Sequence, residues 1–125
     1  MAEENKILIV DDDESTRTLL VSLIELLSEG KEDKSVKIDI AINGQEAWKK
    51  IEQAGGEYEV VVTDIDMPVM DGFDLCRKIQ EKYPGIKVIF MSGREGLEGT
   101  PYVGHRFFRK PIEGGLVTCV LDSID

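Results

Sequence analysis

Short apolar runs separated by amphipathic stretches set the pattern of this chain. Four runs stand out, "KILIV" (6–10), "VKIDIAI" (36–42), "YEVVVT" (58–63) and "KVIFMS" (87–92), and a weaker fifth, "HRFFRK" (105–110), closes the series. Runs this short, rich in Val and Ile and without strict alternation, predict strands buried on both faces of a parallel sheet. The intervening segments carry a helical period. Leu20, Leu23, Ile24 and Leu27 fall at i, i+3, i+4 and i+7, as do Val117, Val120, Leu121 and Ile124. Ala47, Trp48 and Ile51, and then Cys76, Ile79 and Tyr83, form shorter stripes. Asn43 with Glu46 predicts a capping box opening the second helix, and Asp71 caps the third. Strands alternating with helices mean βαβ units and right-handed crossovers. The expected fold is therefore an α/β domain with a doubly wound five-stranded parallel sheet, flavodoxin-like in order 2-1-3-4-5, and helices on both faces.

One stretch breaks the alternation. "SGREGLEGTPYVGH" (92–105) holds four glycines and a proline where a fourth helix belongs. Glycine costs ~1 kcal/mol and proline ~3 kcal/mol in a helix interior, so the fourth helix is expected to be short or absent.

Composition narrows the class without changing this picture. A chain of 125 residues with 42% apolar content suits one domain, spanning 1–125, with a single good core. No run of 18 apolar residues and no basic-then-apolar leader occurs, so neither a membrane span nor a secretory signal is expected, and the opening "MAEENK" suggests a cytoplasmic protein. Cys76 and Cys119 lack metal-ligand spacing and are expected to be free, buried, reduced thiols. The net charge of −10 argues against direct nucleic-acid binding and against anionic lipid, both of which need clustered Lys and Arg.

The location of the acids is more telling than their number. "VVVTDIDMPVMDG" (60–72) drives an apolar strand straight into Asp64, and an unpaired buried charge is costly. In an open parallel sheet, ligands bind beyond the carboxyl ends of the strands. The first strand ends in Asp11, Asp12 and Asp13, the third in Asp64, the fourth in Ser92 and the fifth in Lys110-Pro111. The first and third strands are expected to be neighbours, so their carboxylates converge. Two carboxylates about 4 Å apart repel by roughly 4 kcal/mol at an effective dielectric near 20. Three together would shift their pKa values sharply or demand a cation, and hard carboxylate oxygens beside open water positions suit Mg²⁺, with Mn²⁺ as a substitute. Asp13 and Glu14 read better as helix-capping acids than as ligands.

These strand ends resemble the receiver domains of two-component response regulators, of the chemotaxis-regulator kind. "ILIVDDD", "VVVTDIDMPVMDG", "VIFMSG" and "FFRKP" match the family's motifs in order, over essentially Lys6 to Ile124. The resemblance implies a signalling phosphoacceptor rather than a conventional enzyme. Asp64 would take a phosphoryl group from the phosphohistidine of a sensor histidine kinase or phosphotransfer protein. Asp11 and Asp12 would hold Mg²⁺, Asp12 directly and Asp11 largely through water, with Asp64 and the backbone carbonyl of Asp66 completing the protein ligands. Lys110 and Ser92 would contact phosphoryl oxygens, and Gly93 would leave the group room. The Lys110-Pro111 bond is commonly cis in the family. Phe107 stands where the family has a switch aromatic, and it fits equally as plain core.

Other readings explain fewer residues. "DID" (64–66) matches the start of the haloacid-dehalogenase motif Asp-x-Asp-x-Thr/Val, but the fifth place is Pro68 and the acids on the first strand would be idle. An EF-hand beginning at Asp11 would need Gly and Glu where Thr16 and Ser22 stand. A receiver that binds partners without phosphorylation would leave the full set of motifs unused. Two departures from the family carry expectations of their own. The glycine-rich 93–104 stretch is expected to change order on phosphorylation, and Asp66 with Arg94 is expected to gate hydrolysis of the phosphoryl group. Because the chain ends near the last helical stripe with no DNA-binding segment, output is expected to pass through a downstream protein partner on the face of the fourth and fifth strands.

Overall fold

The computed structural model describes residues 4–29, 35–93, 106–110 and 114–124. Five strands, β1 (Glu4–Val10), β2 (Ser35–Ala41), β3 (Val60–Asp64), β4 (Lys87–Ser92) and β5 (Arg106–Arg109), form one sheet in the order β2-β1-β3-β4-β5. All four pairings are parallel. The described helices are α1 (Glu14–Ser28), α2 (Gly44–Gln53), α3 (Gly72–Lys82) and α4 (Gly114–Asp122), the last being the fifth helical segment of the sequence pattern. The expected gap in the fourth helix, together with Arg94, His105 and the Lys110-Pro111 bond, involves residues outside the described ones.

The central strands explain the two-sided core. Leu8 and Val10 of β1, Val61 of β3 and Val88 and Phe90 of β4 face α2 and α3, where Ala47, Ile51, Leu75, Cys76 and Ile79 meet them. The alternate residues Ile7, Ile9, Val60, Val62, Ile89 and Met91 face Leu20 and Ile24 of α1 and Leu116, Val117, Val120 and Leu121 of α4. Full burial of each such side chain is worth ~1.5–3 kcal/mol, which fixes strand register, because a one-residue slip would exchange the two half-cores.

The edge strands depart from the expectation of burial on both faces. β2 is largely exposed or half-buried along its length, with Ala41 alone buried, because it has a neighbour on one side and α1 and α2 only partly cover it. β5 is likewise exposed at both ends and half-buried at Phe107 and Phe108. β3 starts two residues later than the apolar run suggested and takes Asp64 as its own last residue. On α1 the stripe narrows: Leu20 and Ile24 are buried, Leu23 is half-buried and Leu27 is 45% exposed. Tyr83 lies just past α3 at its C-cap, packed against Trp48 at 6.0 Å between ring centroids.

Three helices open on side-chain caps. Asp13 accepts from Ser15 N at 3.3 Å and from the Thr16 hydroxyl at 2.8 Å, and Asp71 accepts from Asp74 N at 2.8 Å. Asn43 accepts from Glu46 N at 2.8 Å, but the return arm of the expected capping box lands one residue early, with Glu46 Oε1 accepting from Ile42 N at 3.2 Å. No described helix is long and apolar enough to cross a membrane.

Neither cysteine is in a disulfide, but only Cys76 is buried; Cys119 is half-buried against the half-core beneath α1 and α4. Burial pushes the Cys76 thiol up to about 11. A disulfide-exchange reagent at pH 8 is therefore expected to titrate Cys119 in the folded protein and to reach Cys76 only on the timescale of unfolding. Two thiols reacting together in native buffer would contradict this placement.

Candidate functional site

The site is assembled where three parallel strands end side by side. Asp11 follows β1 directly, and its N–H still donates to the Ala41 carbonyl at 3.1 Å, so the ladder carries one residue beyond the strand. That extension draws Asp11 fully inside while the chain bends into α1 and leaves Asp12 exposed. Asp13 turns outward to cap α1, its carboxyl held below the usual range chiefly by the Thr16 hydroxyl. Asp64, 5% exposed, ends β3. The neighbouring backbone is tied on both sides, with Ile65 N–H donating to Met91 O at 3.1 Å and Gly72 N–H to Ile65 O at 2.9 Å.

Glycine at 72 is required by space. A Cβ there would lie 2.4 Å from the Asp64 carbonyl oxygen, and only a bare backbone lets α3 start this close to the strand end. Thr63, fully buried, donates its hydroxyl to that same carbonyl at 2.9 Å. The loop between β3 and α3 also contains strain. Val69 has φ +72°, and Met70 N–H donates across it to Pro68 O at 2.8 Å, a γ-turn of the rare positive-φ kind. A β-branched residue in that region costs on the order of 1–3 kcal/mol. The turn aims the Met70 carbonyl at Gly44 N–H, 3.1 Å away, and so docks the loop on the start of α2.

Carboxylate oxygens of Asp11, Asp12 and Asp64 all lie within 4.8 Å of one another. From the end of β5, Lys110 reaches into the cluster with Nζ 2.9 Å from Asp11 Oδ2 and 3.4 Å from Asp64 Oδ2. The lysine is placed by its own N–H, which donates to Ser92 O at 2.9 Å. Burial opposes its charge, but bonding to Asp11 and Asp64 outweighs this and holds its ammonium above the ordinary range. Asp64 is affected the other way. Burial first, and the Asp11 carboxylate second, overcome Lys110 and push its carboxyl up to about 6. Among the described residues, one ammonium stands among three acids, which makes their pocket net negative, half-buried and open through Asp12. Hard oxygen donors with an open side fit a divalent cation such as Mg²⁺, which keeps several waters.

The remaining expected residues fall around this centre. Ser92 is buried at the end of β4, one strand over from Asp64. Among the described residues, a Cβ at exposed Gly93 would meet nothing within 4 Å. Asp66 is exposed on the loop after β3. Phe107 is half-buried and stacks on Phe90 at 4.9 Å, with Phe73 of α3 on Phe90's other neighbour position at 5.4 Å. The sequence reading missed Gly72 as a close-approach residue, Val69 as the centre of a strained turn, and Arg17, whose guanidinium Nη1 donates to the Asp11 carbonyl at 2.8 Å. Asp-Gly after Pro-Val-Met was the available signal for the first two.

Fold and acidic cluster together define a class, and the sequence comparison agrees: the chain belongs to the response regulator receiver domain family, whose profile matches residues 7–113. It is 34% identical to the sensor kinase CckA of Brucella abortus over 70% of this chain and 8% of that protein. It is 28% identical to the response regulator Rre1 of Synechocystis over 90% of this chain and 48% of that protein. The chain thus spans half or less of the length of these curated relatives. Among solved structures, a CheY-like response regulator receiver domain protein of Methanospirillum hungatei superimposes with a TM-score of 0.80 at 26% identity, covering 98% of this chain and 95% of that one. A two-component transcriptional regulator of Clostridium phytofermentans gives 0.79 at 32% identity, covering 96% and 91%.

The electrostatics of Asp64 carry a stability prediction. An acid whose folded pKa is raised to about 6 penalises the folded state at neutral pH, and the penalty fades as pH falls through 6 toward the ordinary carboxylate value. In metal-free buffer, Asp64→Asn is expected to stabilise the protein at pH 7 by on the order of 1–3 kcal/mol, with the gain largely gone at pH 4. Urea denaturation at the two pH values measures it, and a destabilised Asp64→Asn at pH 7 would refute the assignment of strain to this carboxylate.

Proposed function

We propose that this domain is the phosphoacceptor of a two-component pathway and catalyses transfer of a phosphoryl group from a partner's phosphohistidine to Asp64. The observation that carries the reading is the convergence of Asp64, the Asp11 and Asp12 carboxylates and Lys110 at the ends of β1, β3 and β5. An Asp64 carboxylate oxygen attacks phosphorus, the P–N bond breaks, and the departing imidazole nitrogen keeps the electron pair. Chemistry of this kind depends on in-line positioning and charge stabilisation more than on acid or base groups. The backbone ties at Ile65 and Gly72 hold the strand end that carries Asp64 and support such positioning. Lys110 already bridges Asp11 and Asp64, and its ammonium can follow the charge as it moves onto the phosphoryl oxygens. Mg²⁺, or Mn²⁺ in its place, would be held by Asp11, Asp12, Asp64 and the Asp66 carbonyl and would neutralise charge on the transferred group.

Phosphorylation then acts as a switch. Ser92 at the end of β4 donates to the new group, and Phe107 on β5 follows through its stack on Phe90. The population of a protein-binding face around β4 and β5 shifts accordingly. By sequence position Gly93 would leave the group room, and Asp66 with Arg94 would set the lifetime of the acyl phosphate. The partner upstream is a sensor histidine kinase or a phosphotransfer protein, in keeping with the kinase relatives; downstream it is a protein rather than nucleic acid or membrane, in keeping with the net charge of −10. We place the domain in the cytoplasm as a single receiver unit over residues 1–125.

Intact mass after incubation with acetyl phosphate tests the chemistry. One added phosphoryl group is expected with Mg²⁺, none with EDTA, and none in Asp64→Asn. Modification that persists in Asp64→Asn would move the acceptor elsewhere. A folded protein that takes no phosphoryl group from acetyl phosphate or from a histidine-phosphorylated donor would leave a phosphorylation-independent binding module.

A further inference from the structure

Four bonds define the bend between β1 and α1. Asp11 N–H donates to Ala41 O at 3.1 Å, Asp13 N–H to Asp11 Oδ1 at 2.9 Å, Arg17 N–H to Asp13 O at 3.1 Å, and Arg17 Nη1 to Asp11 O at 2.8 Å. The last differs from the others in kind. It brings a cationic side chain from the first turn of α1 back onto the carbonyl that joins Asp11 to Asp12. A peptide unit is planar, so fixing the direction of that carbonyl also fixes the N–H of Asp12 and the path of its Cα. Among the described residues, no side chain or backbone group is bonded to the Asp12 carboxylate, which is exposed. The origin of that side chain, the Asp12 Cα, is therefore set by the backbone.

The guanidinium is held there against a cost. Arg17 Nε is buried and has no hydrogen-bond partner among the described residues. Leaving a donor of a charged group unpaired is unfavourable, and a solvated rotamer along α1 would avoid it. No carboxylate ion-pairs with Arg17 among the described residues, so a salt bridge does not explain its orientation. Its planar fork reaching a backbone carbonyl does, and this is a task a lysine point charge performs less well.

We infer that Arg17 is a positioning residue for the acidic pair: by holding the Asp11 carbonyl it pre-sets Asp12 for the divalent cation. The inference rests on the metal-dependent reading of the site given above. It assigns Arg17 no contact with the cation or the phosphoryl group; its role is that of an outer residue that orients a ligand, and loss of such residues typically weakens metal affinity by 10–100-fold.

The test is Mg²⁺ titration by calorimetry on the unphosphorylated full chain, with urea denaturation run alongside in EDTA. Arg17→Met keeps the apolar stem and removes the donors; its Mg²⁺ Kd is expected to rise about tenfold or more, with partial rescue in Arg17→Lys. Ile24→Ala, which weakens the α1 core away from the bend, controls for general destabilisation and is expected to bind Mg²⁺ like the wild type. A folded Arg17→Met that binds Mg²⁺ as tightly as wild type overturns the inference and leaves the metal-dependent reading intact. Equal weakening in Ile24→Ala also overturns it. A wild type that binds no Mg²⁺ overturns both. Should Arg17→Met not fold, Arg17→Gln, neutral and too short to reach the carbonyl, decides on the same criteria.

Discussion

Repulsion among Asp11, Asp12 and Asp64 is the constraint around which the rest of the structure is arranged. Their oxygens gather within 4.8 Å of one another, two of the three residues are buried, and a single ammonium stands among them. At an effective dielectric near 20, each additional like charge at this range costs a few kcal/mol. A free coil would relieve it by turning the side chains apart. Here that escape is closed, because β1 and β3 are central strands whose apolar residues feed both half-cores, and the acids sit at their ends with no freedom to slide. The hydrophobic core thus holds a charge arrangement that opposes folding, and the opposition is what makes the pocket receptive to cations.

Around this centre the backbone is unusually committed. Gly72 admits α3 to within van der Waals limits of the Asp64 carbonyl, Thr63 caps that carbonyl from below, and Val69 accepts a strained φ so that the loop can dock on α2. Lys110 is similarly tied through its amide to Ser92, so the fifth strand delivers its charge to a fixed place. The strained φ of Val69 and the close approach at Gly72 both fall in the loop that follows Asp64.

What could be read from the chain in advance follows from the kind of signal each feature leaves. The sheet order, the final helix and the strand-end residues Asp11, Asp64, Ser92 and Lys110 were legible because burial writes apolar runs and the chemistry interrupts them at their ends. β2 was read as buried on both faces because "VKIDIAI" is as apolar as a central run; its alternation became meaningful only once it stood at the margin of the sheet. Glu46 was placed in a capping box by its spacing from Asn43, but which amide it would choose depended on the path of residues 42–43. Arg17 was illegible because its partner is a backbone carbonyl, and a main-chain acceptor has no side-chain letter to pair with. Gly72 carried a letter, but Asp-Gly reads as a turn; its actual reason, a carbonyl 2.4 Å from where a Cβ would be, exists only in three dimensions.

The marginal strands bear on a different hazard. A sheet that ends in an open strand presents a row of unshared amides and carbonyls to any passing chain, and strand-by-strand accretion follows from that template. β2 sets Lys37 and Asp39 along its length and β5 is bracketed by Arg106 and Arg109, so both margins of the described sheet carry charge that must be desolvated before another strand can add. Arg106 also lies over the Phe108 ring, with its guanidinium carbon 5.4 Å from the centroid, shielding an aromatic face at that border. The same charged borders that keep β2 and β5 half in water therefore oppose polymerisation of the domain through its own edges.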